Sequence, residues 1–222
     1  MAERILAIGD IHGCDIAFLA LLKGLAIRRQ DTVVILGDVV DRGPGSRQVI
    51  DRILQLQDEC QLIFIQGNHE EMMLSGLTDE QMAQGWLLYG GQATLASYGG
   101  DRGLVPQTHI DLLKAGRSYW ETDTEIFVHA NLDPALPLDQ QEVDRVRWTH
   151  LTGFELPHPS GKRVVCGHTP QRSGRPRVVP GWVCIDTFVC GGSWLTCLDV
   201  TTNEYCQSNL VGQLRFGRID KK

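Results

Sequence analysis

Three stretches decide the fold: Ile5-Leu6-Ala7-Ile8-Gly9-Asp10-Ile11-His12-Gly13, Thr32-Val33-Val34-Ile35-Leu36-Gly37-Asp38-Val39-Val40-Asp41-Arg42-Gly43, and Leu62-Ile63-Phe64-Ile65-Gln66-Gly67-Asn68-His69-Glu70. Each opens with a short apolar run, rich in β-branched residues, that stops at or just before glycine. Such runs read as buried parallel strands. Residues 15–27 and 46–57 between them carry helical apolar spacing. In the second, Val49, Ile50, Ile53 and Leu54 form one stripe, and Ser46 is placed to act as N-cap. Strand starts about 30 residues apart are the spacing of βαβ units.

Working outward, residues 71–118 change character. GWLLYGGQATLASYG and PQTHIDLLKAG predict helices broken by glycines, a helical insertion over one end of the sheet. Further strands are expected at Glu125–Val128, Arg163–Cys166, Trp182–Ile185 and Trp194–Val200, the last turning at Thr202–Asn203 into Tyr205–Gln207. Residues 131–161 read as a surface loop, and the basic tail with Arg215, Arg218, Lys221 and Lys222 as a solvated end. The expectation is one α/β domain over 1–222, richer in β towards its C-terminus.

Composition narrows the function classes. The chain has 222 residues, 42% hydrophobic and 22% charged, which excludes wholesale disorder. A domain of this size buries roughly 70–75% of its chain surface without staples. The net charge of −6 gives no electrostatic footprint for nucleic acid, so no nucleic-acid partner is expected. No apolar run approaches a membrane span, and the first residues lack a secretory pattern. Seven cysteines without a CxxC predict free thiols in a reducing, cytoplasmic setting.

The chemistry lies where the strands end. Asp10 and His12 follow the first, Asp38, Asp41 and Arg42 the second, Asn68, His69 and Glu70 the third, with His129 after Val128 and His168 after Cys166-Gly167. Functional groups in open α/β sheets gather outside the carboxyl ends of strands. Any one block alone is more often turn chemistry: a turn aspartate, a local Asp-Arg pair, a left-handed Asn. Five in order, each at a strand end, converge carboxylates, imidazoles and an amide on one rim.

That order resembles the phosphoprotein-phosphatase type of calcineurin-like metallophosphoesterases, including bacterial and bacteriophage lambda Ser/Thr protein phosphatases. The likeness rests on Gly-Asp-x-His-Gly, Gly-Asp-x-Val-Asp-Arg-Gly, Gly-Asn-His-Glu, two later histidines and WLLYGG at 86–91, and runs from Gly9 to about Val200. It implies two mixed β-sheets flanked by helices, with a dimetal site at the strand C-terminal ends. It also implies a first metal on Asp10, His12 and Asp38, and a second on Asp38, Asn68, His129 and His168, bridged by Asp38. A mixed O/N shell suits two divalent ions, Mn above all, with Fe or Zn also fitting. Two such ions about 3.5–4 Å apart can share a hydroxide aimed at phosphorus.

By the same resemblance His69 is the general acid, oriented by Asp41, while Arg42 and Asn68 face the phosphate. Relatives carry an Arg two residues after a Trp; here that position is His150, with Arg147 nearby as the other candidate clamp. His129-Ala130-Asn131 also departs from the usual third residue of its block.

His109 and His158 read as surface histidines. Trp86, Tyr89, Tyr98, Met72, Met73 and Met82 read as core, and Cys166, Cys184, Cys190, Cys197 and Cys206 as packing in the C-terminal sheet. The activity implied is hydrolysis of phosphomonoesters by a Ser/Thr protein phosphatase, with phosphotyrosine and small phosphate esters as further substrates. A dinucleoside polyphosphate (diadenosine tetraphosphate) hydrolase shares these blocks. A catalytically silent interaction module is the third possibility, opposed by the intact Asp41–His69 pair.

Overall fold

The computed structural model describes residues 3–220. In chain order the elements begin β1 (Ile5–Ile8), α1 (Asp15–Leu25), β2 (Thr32–Ile35), α2 (Ser46–Glu59) and β3 (Gln61–Phe64). Helices α3 (Asn68–Thr78), α4 (Glu80–Trp86), α5 (Gln92–Ser97) and α6 (Gln107–Lys114) follow, with a π turn over Leu87–Gly91 joining α4 to α5. Then come β4 (Tyr119–Glu121), β5 (Glu125–Val128), α7 (Val143–Trp148), β6 (Arg163–Cys166), β7 (Arg177–Val179) and β8 (Trp182–Cys184). Strands β9 (Leu195–Asp199), β10 (Glu204–Ser208) and β11 (Leu214–Arg218) close the chain.

Two mixed sheets form, in the orders β11-β10-β9-β1-β2-β3 and β4-β5-β6-β8-β7. Period-two alternation sorts their side chains. Leu6, Ile8, Val33 and Ile35 pack with α1 and α2, where Phe18, Leu21, Ile50 and Ile53 are buried. The opposite face sends Ala7, Val34, Leu36 and Ile63 against Phe127, Val165 and Val183 of the second sheet. That sheet's outer face, with Ile126, Val128 and Val164, is covered by Val146 of α7 and by Leu132 and Leu151.

The parallel register decides where the site falls. Ile8 pairs with Ile35 and Ile35 with Phe64, so β1, β2 and β3 stop in line. Phe127 pairs with Val165 and Val165 with Val183 in the second sheet. The loops that follow therefore share one rim.

Several expectations are corrected. Ser46 is not the N-cap of α2; Gly45 is, and the buried Ser46 hydroxyl instead accepts the Asp41 N–H at 3.1 Å. His109 is 2% exposed, held between the Tyr98 hydroxyl and Asp51, because the aromatic-polar pair offers both its ring nitrogens a partner. His158 is half-buried against Ser160 Oγ. Tyr89, in the π turn, and Met82, on the outer side of α4, lie exposed, whereas Trp86, Tyr98 and Met73 are core. Residues 131–161 are not all loop, since Val146 anchors α7 to the second sheet. Arg215 and Arg218 belong to β11, with the Arg215 guanidinium 4.0 Å above the Trp194 ring. Lys221 and Lys222 lie outside the described residues. Cys190 sits half-buried outside the C-terminal strands, in a 3-10 turn, while Cys166, Cys184, Cys197 and Cys206 are buried in them.

Candidate active site

Backbone strain marks the rim. Among the described residues, non-glycine left-handed φ angles occur at His12 (47°), Asp38 (49°), Asp41 (71°), Arg42 (70°), His168 (60°) and Phe188 (63°), and elsewhere only at Ala26 and Asn203. Each costs on the order of 1–3 kcal/mol and persists where surrounding contacts over-determine it. Asp38 shows how. Its N–H and that of Val39 donate to the buried Glu70 carboxylate at 2.8 Å each, and Gly67 N–H donates to the same group at 2.8 Å. Gly67 must be glycine, because a Cβ there would lie 2.3 Å from Asp38 Oδ1.

Four lone-pair atoms converge beside Asp38. His129 Nε2 lies 3.1 Å from Asn68 Oδ1, 3.2 Å from His168 Nδ1 and 3.4 Å from Asp38 Oδ1. The outer nitrogens of both rings are committed: His129 Nδ1–H donates to Leu36 O at 2.7 Å and His168 Nε2–H to Trp148 O at 3.0 Å. Two imidazole lone pairs then face each other with a carboxylate and an amide oxygen. That arrangement repels itself without a cation, and backbone carbonyls fixing ligand tautomers are the usual support of one.

A second group sits on the other side of Asp38. His12, Asp38 and His69 offer ligand atoms within 4.8 Å of one another, as do Asp38, His129 and His168. His12 again turns Nδ1–H to a backbone carbonyl, Val40 O at 3.0 Å, leaving Nε2 facing inward, 3.6 Å from Asp38 Oδ2. Asp10 is 3% exposed and accepts the His168 N–H on both oxygens at 3.1 Å.

The electrostatics agree. Burial, then the neighbouring Asp186 and Asp38 carboxylates, push the Asp10 carboxyl well above its usual range. Burial, partly opposed by the Phe188 N–H, raises Asp186 to about 7. Burial lowers His12 to about 3 despite Asp38. Buried acids crowded together, beside imidazoles such as His12 that burial holds neutral, form a donor set that fits two divalent cations.

His69 and Asp41 stand at the edge of this pocket. Asp41 is fully buried and accepts from His69 Nδ1 at 2.7 Å, Trp86 Nε1 at 2.9 and 3.1 Å, and Thr94 Oγ1 at 2.8 Å. Burial alone would lower the His69 pKa, but the Asp38 charge and the Asp41 hydrogen bond outweigh it and raise it. Arg42 reaches His12 Nε2 at 2.7 Å and His69 Nε2 at 2.9 Å, not Asp51 or Glu70. Its N–H donates to Gly90 O at 3.2 Å, and Gly90, at φ 113°, makes that turn in WLLYGG possible.

His150 stacks on His168, centroids 4.3 Å apart and planes 17° apart, and lines an open cavity of about 520 Å³ with Arg42. Arg147 turns elsewhere, to Glu71 Oε2 at 2.9 Å and Gln66 Oε1 at 2.7 Å, so both its terminal nitrogens are engaged outside that cavity. Asp186, Trp86 and Thr94 were not singled out in the sequence as site residues, and Glu70, named there among the strand-end groups, serves to brace the Asp38 backbone. Asp186 carried a signal, since it directly follows the apolar run Trp182–Ile185 as the other acids follow theirs. The spacing from Trp86 to Thr94 carried no comparable signal.

The model of the calcineurin-like phosphoesterases matches residues 3–182. The chain belongs to that family. It is 26% identical over 220 residues to an asymmetrical bis(5'-nucleosyl)-tetraphosphatase of Anoxybacillus flavithermus, covering 86% of this chain and 88% of that one. It is 38% identical over 93 residues to serine/threonine-protein phosphatase 1 of Salmonella typhimurium, covering 40% and 39% of the two chains. A cold-active protein tyrosine phosphatase shares the fold with a TM-score of 0.71 at 18% identity, covering 97% of this chain and 79% of its own. Among the described residues no helix is long and apolar enough to cross a membrane.

Proposed function

We propose that this metallophosphoesterase is a dimetal phosphomonoesterase acting on phosphoseryl and phosphothreonyl proteins. The observation that carries the reading is the His69–Asp41 pair, locked by Trp86 and Thr94 and joined through His69 Nε2 to Arg42. A seryl or threonyl alkoxide is a poor leaving group and needs a proton at the bridging oxygen; a departing nucleotide needs much less. So elaborately held an acid favours an ester of an alcohol.

In this reading Asp10, His12 and Asp38 hold one metal, and Asp38, Asn68, His129 and His168 the other. Mn is favoured and Fe or Zn also fit. When bound, two divalent cations neutralise phosphate charge and activate water. Arg42 swings from the two imidazoles to fork two phosphate oxygens, His150 faces the same anion, and His69 Nε2 delivers the proton while Asp41 stabilises the imidazolium. The seven thiols, all free, suit a reducing, cytoplasmic compartment.

A second reading, a dinucleoside polyphosphate hydrolase, is favoured by the relative matched along nearly its whole length. Metal-free protein reloaded separately with Mn, Fe, Zn and Mg, then assayed on phosphopeptides, p-nitrophenyl phosphate and diadenosine tetraphosphate, separates the two. Preferential turnover of phosphopeptides supports the first, and preference for the dinucleotide replaces it with the second. No turnover with any metal points to a silent interaction module.

A further inference from the structure

The cavity beside Arg42 and His150 is larger than one phosphate requires, and its far wall has a distinct chemistry. Arg172 stands there, exposed, with its guanidinium carbon 5.1 Å from the centre of the Phe188 ring. No carboxylate lines this cavity, and Arg172 has no acidic partner among the described residues. An unpaired guanidinium stacked on a ring keeps its N–H edge free and loses less freedom when it grips an anion.

Phe188 is held on purpose. Its backbone is left-handed, φ 63° and ψ 44°, a conformation that favours glycine. Three hydrogen bonds impose it: its N–H donates to Asp186 Oδ1 at 3.0 Å, and its carbonyl accepts from Gly191 and Ser193 at 3.1 Å each. Gly191 completes the seat, because a Cβ there would fall 1.9 Å from the ring. The result is a fixed aromatic shelf that carries a cation at the mouth of the site.

We propose that Arg172 on Phe188 forms a second anion subsite, which binds a carboxylate or a second phosphate on the residue next to the phosphorylated one. The inference rests on the phosphoprotein reading above and adds to it a preference for acidic sequence context. The charge balance is consistent with such a subsite. A chain of net charge −6 repels an acidic peptide at long range, so a carboxylate-free pocket with two arginines is where such a peptide gains.

The test uses the metal-loaded full chain and three phosphoserine peptides, whose neighbouring residues are alanine, glutamate or a second phosphoserine. Wild type should show a higher kcat/KM for both acidic peptides than for the alanine peptide, by roughly five- to tenfold, through KM. A gain with the second phosphoserine alone would assign the subsite to phosphate rather than carboxylate. Arg172→Ala should collapse the acidic-to-neutral ratio towards one, and Arg172→Glu should invert it. Phe188→Gly, which suits the backbone angle, should lower the ratio as well. Equal kcat/KM for all three peptides, or a ratio that survives Arg172→Ala, overturns the subsite while leaving the phosphoprotein reading intact. Turnover of p-nitrophenyl phosphate with none of any phosphopeptide overturns both.

Discussion

Replacing Asp41 with Asn tests the proposed acid most directly, because the substitution keeps the volume and removes the charge. Asp41 is fully buried and His69 1% exposed, so solvent screens their pairing little. Two unit charges ~4 Å apart at an effective dielectric of 20 interact by ~4 kcal/mol. The amide dipole retains part of this, so Asp41→Asn should let burial pull the His69 pKa back down. One amide nitrogen must also face either His69 Nδ1–H or the donors Trp86 Nε1 and Thr94 Oγ1, and each choice sets donor against donor. Hydrolysis of alkyl phosphates should then fall by about 10²–10³-fold, within the usual reach of a general acid. Esters of acidic phenols need little protonation and should fall less than about tenfold on the same argument. The assay is a leaving-group series at fixed pH with metal content measured in parallel, and the plot of log rate against leaving-group pKa should steepen. A uniform loss across the series, with metal retained, would refute the acid role of His69 and Asp41 together.

Asp38→Asn should release both metals at once, seen by elemental analysis, since it faces both ligand groups; retention of two metals per chain would contradict the bridging assignment. Chelation should make stability depend on pH in an unusual sense. Asp186 has its folded pKa raised from 3.8 to about 7, so its contribution is present below about pH 4 and is lost as pH rises through 7. The metal-free chain should therefore lose stability between pH 4 and pH 8, read by denaturant melts, with the buried Asp10 and Glu70 carboxyls adding to the loss, and Asp186→Asn should make that slope shallower. His150→Arg should lower KM for phosphopeptides, because a guanidinium can keep the stack on His168 and add a permanent charge with two donors; Arg147→Ala should alter KM little in comparison. Trp86→Phe should cost about 1–2 kcal/mol of stability and slow alkyl ester hydrolysis, because it leaves a buried carboxylate short of one donor.

The strand-glycine-acid grammar of the first 70 residues determined the parallel core of the first sheet and named the groups that meet at its rim. It could do so because apolar alternation and glycine placement are local properties of the chain. Asp10, His12, Asp38, Asn68, His129 and His168 were legible for the same reason, each standing at the end of a readable strand. Sequence left open what depends on contacts between distant segments. Ser46 was read as a cap because its neighbours suggest one, yet a loop five residues upstream claims its hydroxyl. His109 read as surface because its partners Asp51, in α2, and Tyr98, just after α5, are distant in sequence or lie on another element. Only the folded chain places His150 and Arg147 differently. Arg147 lies in the last turn of α7 and His150 two residues beyond it, and what separates them is that Glu71 and Gln66 capture the arginine while His168 offers the histidine a flat face. The shelf of Phe188 and Arg172 is likewise tertiary, since it needs a left-handed backbone that no local propensity favours and that three hydrogen bonds impose.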